Sequence, residues 1–75
     1  MDVRKDLLLR SAARLYSIGL DLDAAKERIR KLVEAGAGYE APEMLLAAQE
    51  YTELKGLWDS LEAEYLKLKQ EILNE

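Results

Sequence analysis

Apolar side chains in residues 51–72 are spaced alternately three and four positions apart, which is the spacing of a helix seam. With Met44 at heptad position a, the register holds over four heptads without interruption. The sequence therefore predicts a helix over about residues 42–73 with a coiled-coil-like apolar edge. The residues predicted to form this seam, and with it a dimer interface, are Tyr51, Leu54, Trp58, Leu61, Tyr65, Leu68 and Ile72.

The first half of the chain predicts two shorter helices. Helix 1 is expected over about residues 3–18 and carries two apolar stripes: Leu8, Ala12 and Leu15 in one, and Leu9, Ala13 and Tyr16 beside it. With Leu7 added to the two stripes, the apolar surface is wider than contact with one neighbour requires. Helix 1 is therefore expected to touch more than one neighbour.

Glycines mark the expected helix ends in this half. Gly19 is placed to end helix 1, because glycine accepts the left-handed backbone of a C-terminal cap. Helix 2 is then expected over about residues 22–35, with Asp21 or Asp23 as its N-cap and Gly36 as its stop. The expected fold is all-α: one domain over residues 1–75, built from two short helices and one long C-terminal helix.

The expected lengths predict a second copy. A helix of about 30 residues is ~45 Å long, whereas a compact domain of this size is roughly 30 Å across. Two short helices would cover only part of the long one, leaving its C-terminal end exposed. We therefore expect a homodimer in which the long helices form an antiparallel coiled-coil-like seam and complete a helical bundle. The alternative is a loose monomer with a frayed C-terminal end.

Gly56 lies in the interior of the long helix, where glycine costs ~1 kcal/mol relative to alanine. It is either a tolerated surface glycine or the mark of a bend or close helix crossing. Leu45, Leu66 and Leu73 fall at heptad position b. These leucines indicate either further contacts or isolated exposed side chains.

Composition argues against an enzyme. The chain has 75 residues with no cysteine and no histidine, which excludes disulfides, thiolate or imidazole metal ligands, and Cys or His catalysis. The i,i+3 carboxylate pairs Glu50–Glu53 and Asp59–Glu62 could hold a divalent cation, but carboxylate bundles normally add histidine. Solvated helix faces explain these acids better. No catalytic, cofactor-binding or metal-binding residue is predicted.

Charge is divided unevenly along the chain. Residues 1–38 carry eight basic and six acidic side chains (+2), and residues 39–75 carry three basic and nine acidic ones (−6). Nucleic acid would have to bind the first half, but acidic side chains are interspersed among the basic ones there. Pairing of these basic side chains with the acidic long helix is the favoured interpretation. The absence of an apolar leader or of a run of ~18 apolar residues predicts a cytoplasmic protein without a membrane span.

Two segments resemble known families. The segment RLYSIGLDLDAAKERIRKLV, followed by the long heptad helix, resembles the later part of MerR-family transcription regulators over about residues 12–72. This resemblance implies two short helices joined by a glycine turn, then an antiparallel dimerisation coil. The winged DNA-reading head of that family has no counterpart in the chain, so DNA binding is not implied.

The segment LLAAQEYTEL is similar to the Ser-Gln-Glu-Leu-Asp motif of the small helical-hairpin aspartyl-phosphate phosphatases of sporulation control. Gln49 and Glu50 match that motif, whereas Ala48, Tyr51 and Thr52 differ from it. The resemblance implies a phosphatase of a response regulator, and the missing acid at Thr52 counts against that activity.

Three functions are therefore open. The first is a small non-enzymatic, homodimeric interaction module, a scaffold or regulator that also binds another protein. The second is a nucleic-acid-associated regulator that uses the basic first half. The third is the helical-hairpin phosphatase.

Overall fold

Residues 3–74 of the chain are described by a computed structural model, in which they form an all-helical hairpin. Helix α1 spans Val3–Glu34 and helix α2 spans Pro42–Leu73. A short loop reverses the chain direction between them, so the helices pack antiparallel along their length. Within residues 3–74 there is no β-strand.

The prediction of two short helices in the first half was wrong. Helix α1 is continuous through Gly19, and Asp21 and Asp23 lie inside it rather than at the start of a second helix. Among the described residues, the only positive φ belongs to Gly36, so Gly19 keeps right-handed helical geometry. The arrangement implied by the MerR resemblance, two short helices with a glycine turn between them, is therefore not present.

A heptad repeat that runs unbroken through Gly19 explains the continuous helix. Leu8, Leu15, Leu22 and Ile29 are spaced by seven, and a second set lies three residues after each of them: Ser11, Ile18, Ala25 and Leu32. Every one of these positions is buried or half-buried, whereas most of the others on α1 are exposed. One apolar stripe thus spans the whole of α1. Burying it against α2 offsets the helix-propensity cost of a single interior glycine, about 1 kcal/mol.

The prediction that Gly36 stops the helix is confirmed. Gly36 has φ 88°, its N–H donates to the carbonyl of Val33, and the N–H of Ala37 donates to that of Leu32. This pair of bonds is the Schellman motif, which needs a left-handed residue. The second helix begins at Pro42, where the missing N–H costs no helical hydrogen bond.

The hairpin is long and thin. Both helices have 32 residues, so the idea that the C-terminal helix outreaches the rest of its domain was wrong. The main chain measures 53 × 15 × 14 Å, with a radius of gyration of 16.7 Å, against ~11 Å for a compact 75-residue domain. Its accessible surface of 5782 Å² exceeds the ~4,700 Å² typical of a compact protein of this mass.

Such a shape buries little. Among residues 3–74 the buried apolar side chains are Leu22, Ala25, Met44 and Ala47, and no large side chain is fully buried. Two helices share only one seam, and each keeps more than half of its circumference in contact with solvent. The fold therefore leaves an unusual number of large apolar side chains exposed, and their positions define the candidate surface.

Candidate interaction surface

The seven residues predicted for the seam lie along one side of α2. All seven are half-buried, and they alternate with exposed positions. Because α1 is the other helix of the hairpin, this burial comes from packing of α2 against α1 within one chain. The prediction that the same residues meet a second copy stays a prediction.

Trp58 packs against Gly19 at the middle of the hairpin. A Cβ atom added to Gly19 would lie 2.9 Å from Cζ3 of the indole, which is closer than van der Waals contact allows. A larger side chain at this level of the seam would force the indole of Trp58 to move, because the ring occupies the space beside the glycine.

A groove opens beside this contact on one side of the hairpin. It encloses about 350 Å³, and its walls include Tyr16 and Leu20 of α1 and Tyr51 and Lys55 of α2, with Gly19, Leu22, Asp23, Lys26 and Trp58 completing the lining. In heptad terms these residues occupy mainly positions a, e and b of α1 and positions a and e of α2. We call this side of the hairpin the aromatic face.

Helical periodicity extends the aromatic face towards the open end of the hairpin, away from the loop. Leu9 lies two turns before Tyr16, and Leu66 and Leu73 lie three and five turns after Lys55, so they share its direction. Leu9 and Tyr16 expose 70% and 71% of their surface, and Leu73 exposes 73%. Five large apolar side chains are thus exposed on the open half of this face: Leu9, Tyr16, Leu20, Leu66 and Leu73.

The opposite side of the hairpin, which we call the polar face, consists of positions d, g and c. Its two depressions are lined partly by charged and hydroxyl side chains and partly by apolar ones. The first group is Arg14, Ser17, Asp21, Arg28, Glu50, Glu53 and Ser60, and the second is Ile18, Ala24, Leu54, Leu57 and Leu61. The guanidinium of Arg28 pairs with the carboxylate of Glu50 across the two helices. Four large apolar side chains are exposed on this face: Val3, Leu7, Leu46 and Leu57. This face therefore exposes fewer large apolar side chains than the aromatic face, and it is partly closed by an interhelical ion pair.

Several charged groups are already paired along each helix. The Nε of Arg10 lies 3.2 Å from Asp6, and Arg30 contacts both Glu27 and Glu34. The hydrogen bond from Arg30 holds the pKa of Glu27 below its usual value. Arg10, Arg28 and Arg30 thus contact carboxylates, so nucleic-acid binding by the basic half gains no support from their geometry.

Lys55 stands at the edge of the groove and is held there by an ion pair. Its Nζ lies 2.8 Å from the carboxylate of Asp59, one turn further along α2. This hydrogen bond raises the pKa of Lys55, so the ammonium stays charged at neutral pH. The rim of the aromatic face therefore carries fixed charge beside the apolar side chains.

Two of the four acids considered as metal ligands form ion pairs with basic side chains. Glu50 pairs with Arg28 and Asp59 with Lys55, and among residues 3–74 no group of three or more metal-ligating side chains comes together.

Gly56 has open space around its Cα, so no helix crosses closely there within the hairpin. In the part of the chain described, neither helix is apolar enough over a sufficient length to cross a membrane.

The segment that resembles the phosphatase motif lies on α2. Gln49 is exposed and its amide donates to Glu53 at 3.4 Å, whereas the hydroxyl of Thr52 donates to the carbonyl of Ala48 at 2.9 Å. No carboxylate stands at position 52.

Comparison of the chain with protein families, with curated proteins and with solved structures finds no match.

Proposed function

We propose that this chain is a small non-enzymatic interaction module that works as a homodimer, in which two hairpins join through their aromatic faces into a four-helix bundle. The observation that carries this proposal is the exposure of five large apolar side chains on one half of one face. Each helix of a four-helix bundle has two helical neighbours, and the two apolar stripes of α1 supply a seam for each. A second copy provides the missing neighbour.

The dimensions of the hairpin support this partner. A face 53 Å long and 15 Å wide has a footprint of about 800 Å² (53 × 15), which is close to the ~800 Å² per partner of a standard specific interface. Fully burying a large apolar side chain contributes roughly 1.5–3 kcal/mol. Five such side chains per copy are enough to offset the loss of rotational and translational freedom on association.

Leu9→Asp is expected to shift the dimer towards monomer by at least tenfold in dissociation constant, because it places a carboxylate in the apolar interface. Sedimentation equilibrium at micromolar concentrations measures the mass. Trp58, the only tryptophan, gives a second readout, because covering the groove should shift its emission to shorter wavelength as the protein concentration rises.

Leu46→Asp is the matched control for that variant. Leu46 is 68% exposed, close to the 70% of Leu9, and it lies on the polar face. Both variants add one negative charge near the start of a helix. The control variant is expected to keep the dimer mass. A wild-type protein that is monomeric at 100 µM, a concentration of the order at which weak interfaces associate, would contradict the homodimer.

The polar face is the surface that such a dimer leaves free for another protein. Leu46 and Leu57 lie there among paired charges, a mixture of apolar and charged groups that is typical of interaction surfaces between proteins. We therefore place the scaffold or regulator role on this face. Retention of a bound protein partner at high salt would separate this role from nucleic-acid binding, which weakens steeply as salt rises.

One observation favours a second candidate function. The fold is a helical hairpin, which is the architecture of the aspartyl-phosphate phosphatases that the segment around Gln49 resembles. The acid of that motif is replaced by Thr52, so a residual activity would depend on Gln49 and Glu50. The test is the rate at which phosphorylated receiver domains lose their phosphate with and without the protein; equal rates across a panel would eliminate this candidate.

A further inference from the structure

We infer that the two copies pack with their loops at the same end of the bundle, so that α1 of each hairpin lies against α2 of the partner. This inference rests on the proposed homodimer and specifies its geometry. It names the surface that each helix meets, which the mass of the dimer alone does not reveal.

Only two arrangements allow the aromatic faces of two hairpins to meet under a twofold axis with the helices nearly aligned. If the axis runs along the bundle, the loops lie together and α1 packs on α2 of the partner subunit. If the axis crosses the bundle at right angles, the loops lie at opposite ends, α1 packs on α1, and α2 packs on α2. Both arrangements are closed and isologous, so they must be distinguished by the charges and the apolar side chains that each brings into contact.

The charges of the helices favour the arrangement with the loops together. Helix α1 carries eight basic and five acidic side chains (+3), and α2 carries three basic and seven acidic ones (−4). With the loops together, every neighbouring pair of helices in the bundle has opposite charge. With the loops apart, two pairs of like-charged helices come into contact, which is unfavourable for association.

The position of the apolar side chains favours the same arrangement. On the open half of the aromatic face, Leu9, Tyr16 and Leu20 of α1 lie beside Leu66 and Leu73 of α2. Of the large apolar side chains, the loop half of this face exposes only Val33 and Leu45. Both halves carry charged groups at positions e and b: Asp23, Lys26, Arg30 and Lys55 in the loop half, and Lys5, Asp59, Glu62 and Lys69 in the open half. Loops placed together match the apolar half with its own copy, whereas loops placed apart match it with the half that exposes fewer large apolar side chains.

The same geometry aligns the grooves. Gly19 and Trp58 lie at one level of the hairpin, and an axis along the bundle leaves that level unchanged. The Gly19–Trp58 contact of one copy then faces the partner's Trp58 and Gly19. Two grooves that are open in the single hairpin thereby close over each other, which covers the half-buried indole of each copy.

The distance between two loops distinguishes the arrangements. The chain has no cysteine, so Gly38→Cys gives one spin-label site per copy in the loop, and Asn74→Cys gives one at the open end. Loops placed together predict label distances below about 35 Å at both sites, because they are separated by two or three helix diameters. Loops placed apart predict about 50 Å at both sites, close to the 53 Å length of the hairpin.

Each outcome of this experiment has a separate meaning. Short distances at both sites in a protein of dimer mass support the inference. Long distances in a protein of dimer mass overturn the arrangement and leave the homodimer intact, whereas a monomer mass overturns the homodimer itself. Helical circular dichroism of each labelled variant, equal to that of the parent, verifies that the hairpin is folded; Gly38 and Asn74 are both exposed and outside the two helices.

Discussion

Gly19→Val is expected to lower the free energy of unfolding by about 2–3 kcal/mol, because the new side chain and the ring of Trp58 require the same space. A Cβ at this position would already lie 2.9 Å from Cζ3 of the indole. Valine gains only a few tenths of a kcal/mol in helix propensity over glycine. The steric overlap with the ring is larger, so the free energy of unfolding should fall. Urea unfolding followed by circular dichroism measures the change.

Gly56→Ala is the matched control within the other helix. Gly56 also lies in a helix interior, but nothing stands within 4 Å of an added Cβ. The control is therefore expected to raise the free energy of unfolding by about 1 kcal/mol, the full propensity difference. Opposite signs at two interior glycines would show that packing, rather than backbone conformation, fixes Gly19.

A double-mutant cycle separates this packing from a helix cap at Gly19. Trp58→Leu removes the ring, so Gly19→Val should cost about 1–2 kcal/mol less in that background than in the wild-type chain. A cap with positive φ would make the cost of valine the same in both backgrounds. Additive effects would therefore contradict the close contact between residue 19 and the ring of Trp58.

The wrong prediction of a helix end at Gly19 shows that local sequence chemistry alone does not determine where a helix stops. A glycine followed by Asp21 and Asp23 has the local chemistry of a helix end and a new start, and a local rule cannot tell it from an interior glycine. The longer-range signal was present, since the spacing of seven that joins Leu15 to Leu22 continues through Gly19. Tertiary packing along a whole stripe outweighs one unfavourable residue.

Periodicity and turn chemistry were sufficient elsewhere. The seam positions of α2 were derivable because a heptad defines one side of a helix whatever covers it, and Gly36 was derivable because a left-handed residue suits glycine. The aromatic face was only partly accessible. The stripe of Leu9 and Tyr16 indicated a second neighbour, but its alignment with Leu66 depends on which helix packs beside α1, and that follows from the three-dimensional arrangement.

Leu61→Asp combined with Leu68→Asp is expected to unfold the hairpin rather than only separate its copies. Both leucines are half-buried in the seam, and each loses about 2 kcal/mol of apolar burial while bringing a carboxylate to the interface with α1. A domain of this size has a stability of roughly 4–11 kcal/mol. The double variant should therefore lose more than half of its helical circular dichroism at 25 °C.

The control for this variant places two carboxylates on the outside of the same helix. Ser60→Asp with Gln70→Asp adds the same charge to exposed positions of α2, and its helical signal is expected to match the wild type. The contrast with Leu9→Asp, expected to release monomers that remain helical, assigns separate roles to the two surfaces. If the Leu61 and Leu68 substitutions instead yield a helical monomer, the seam must join subunits rather than the two helices of one chain.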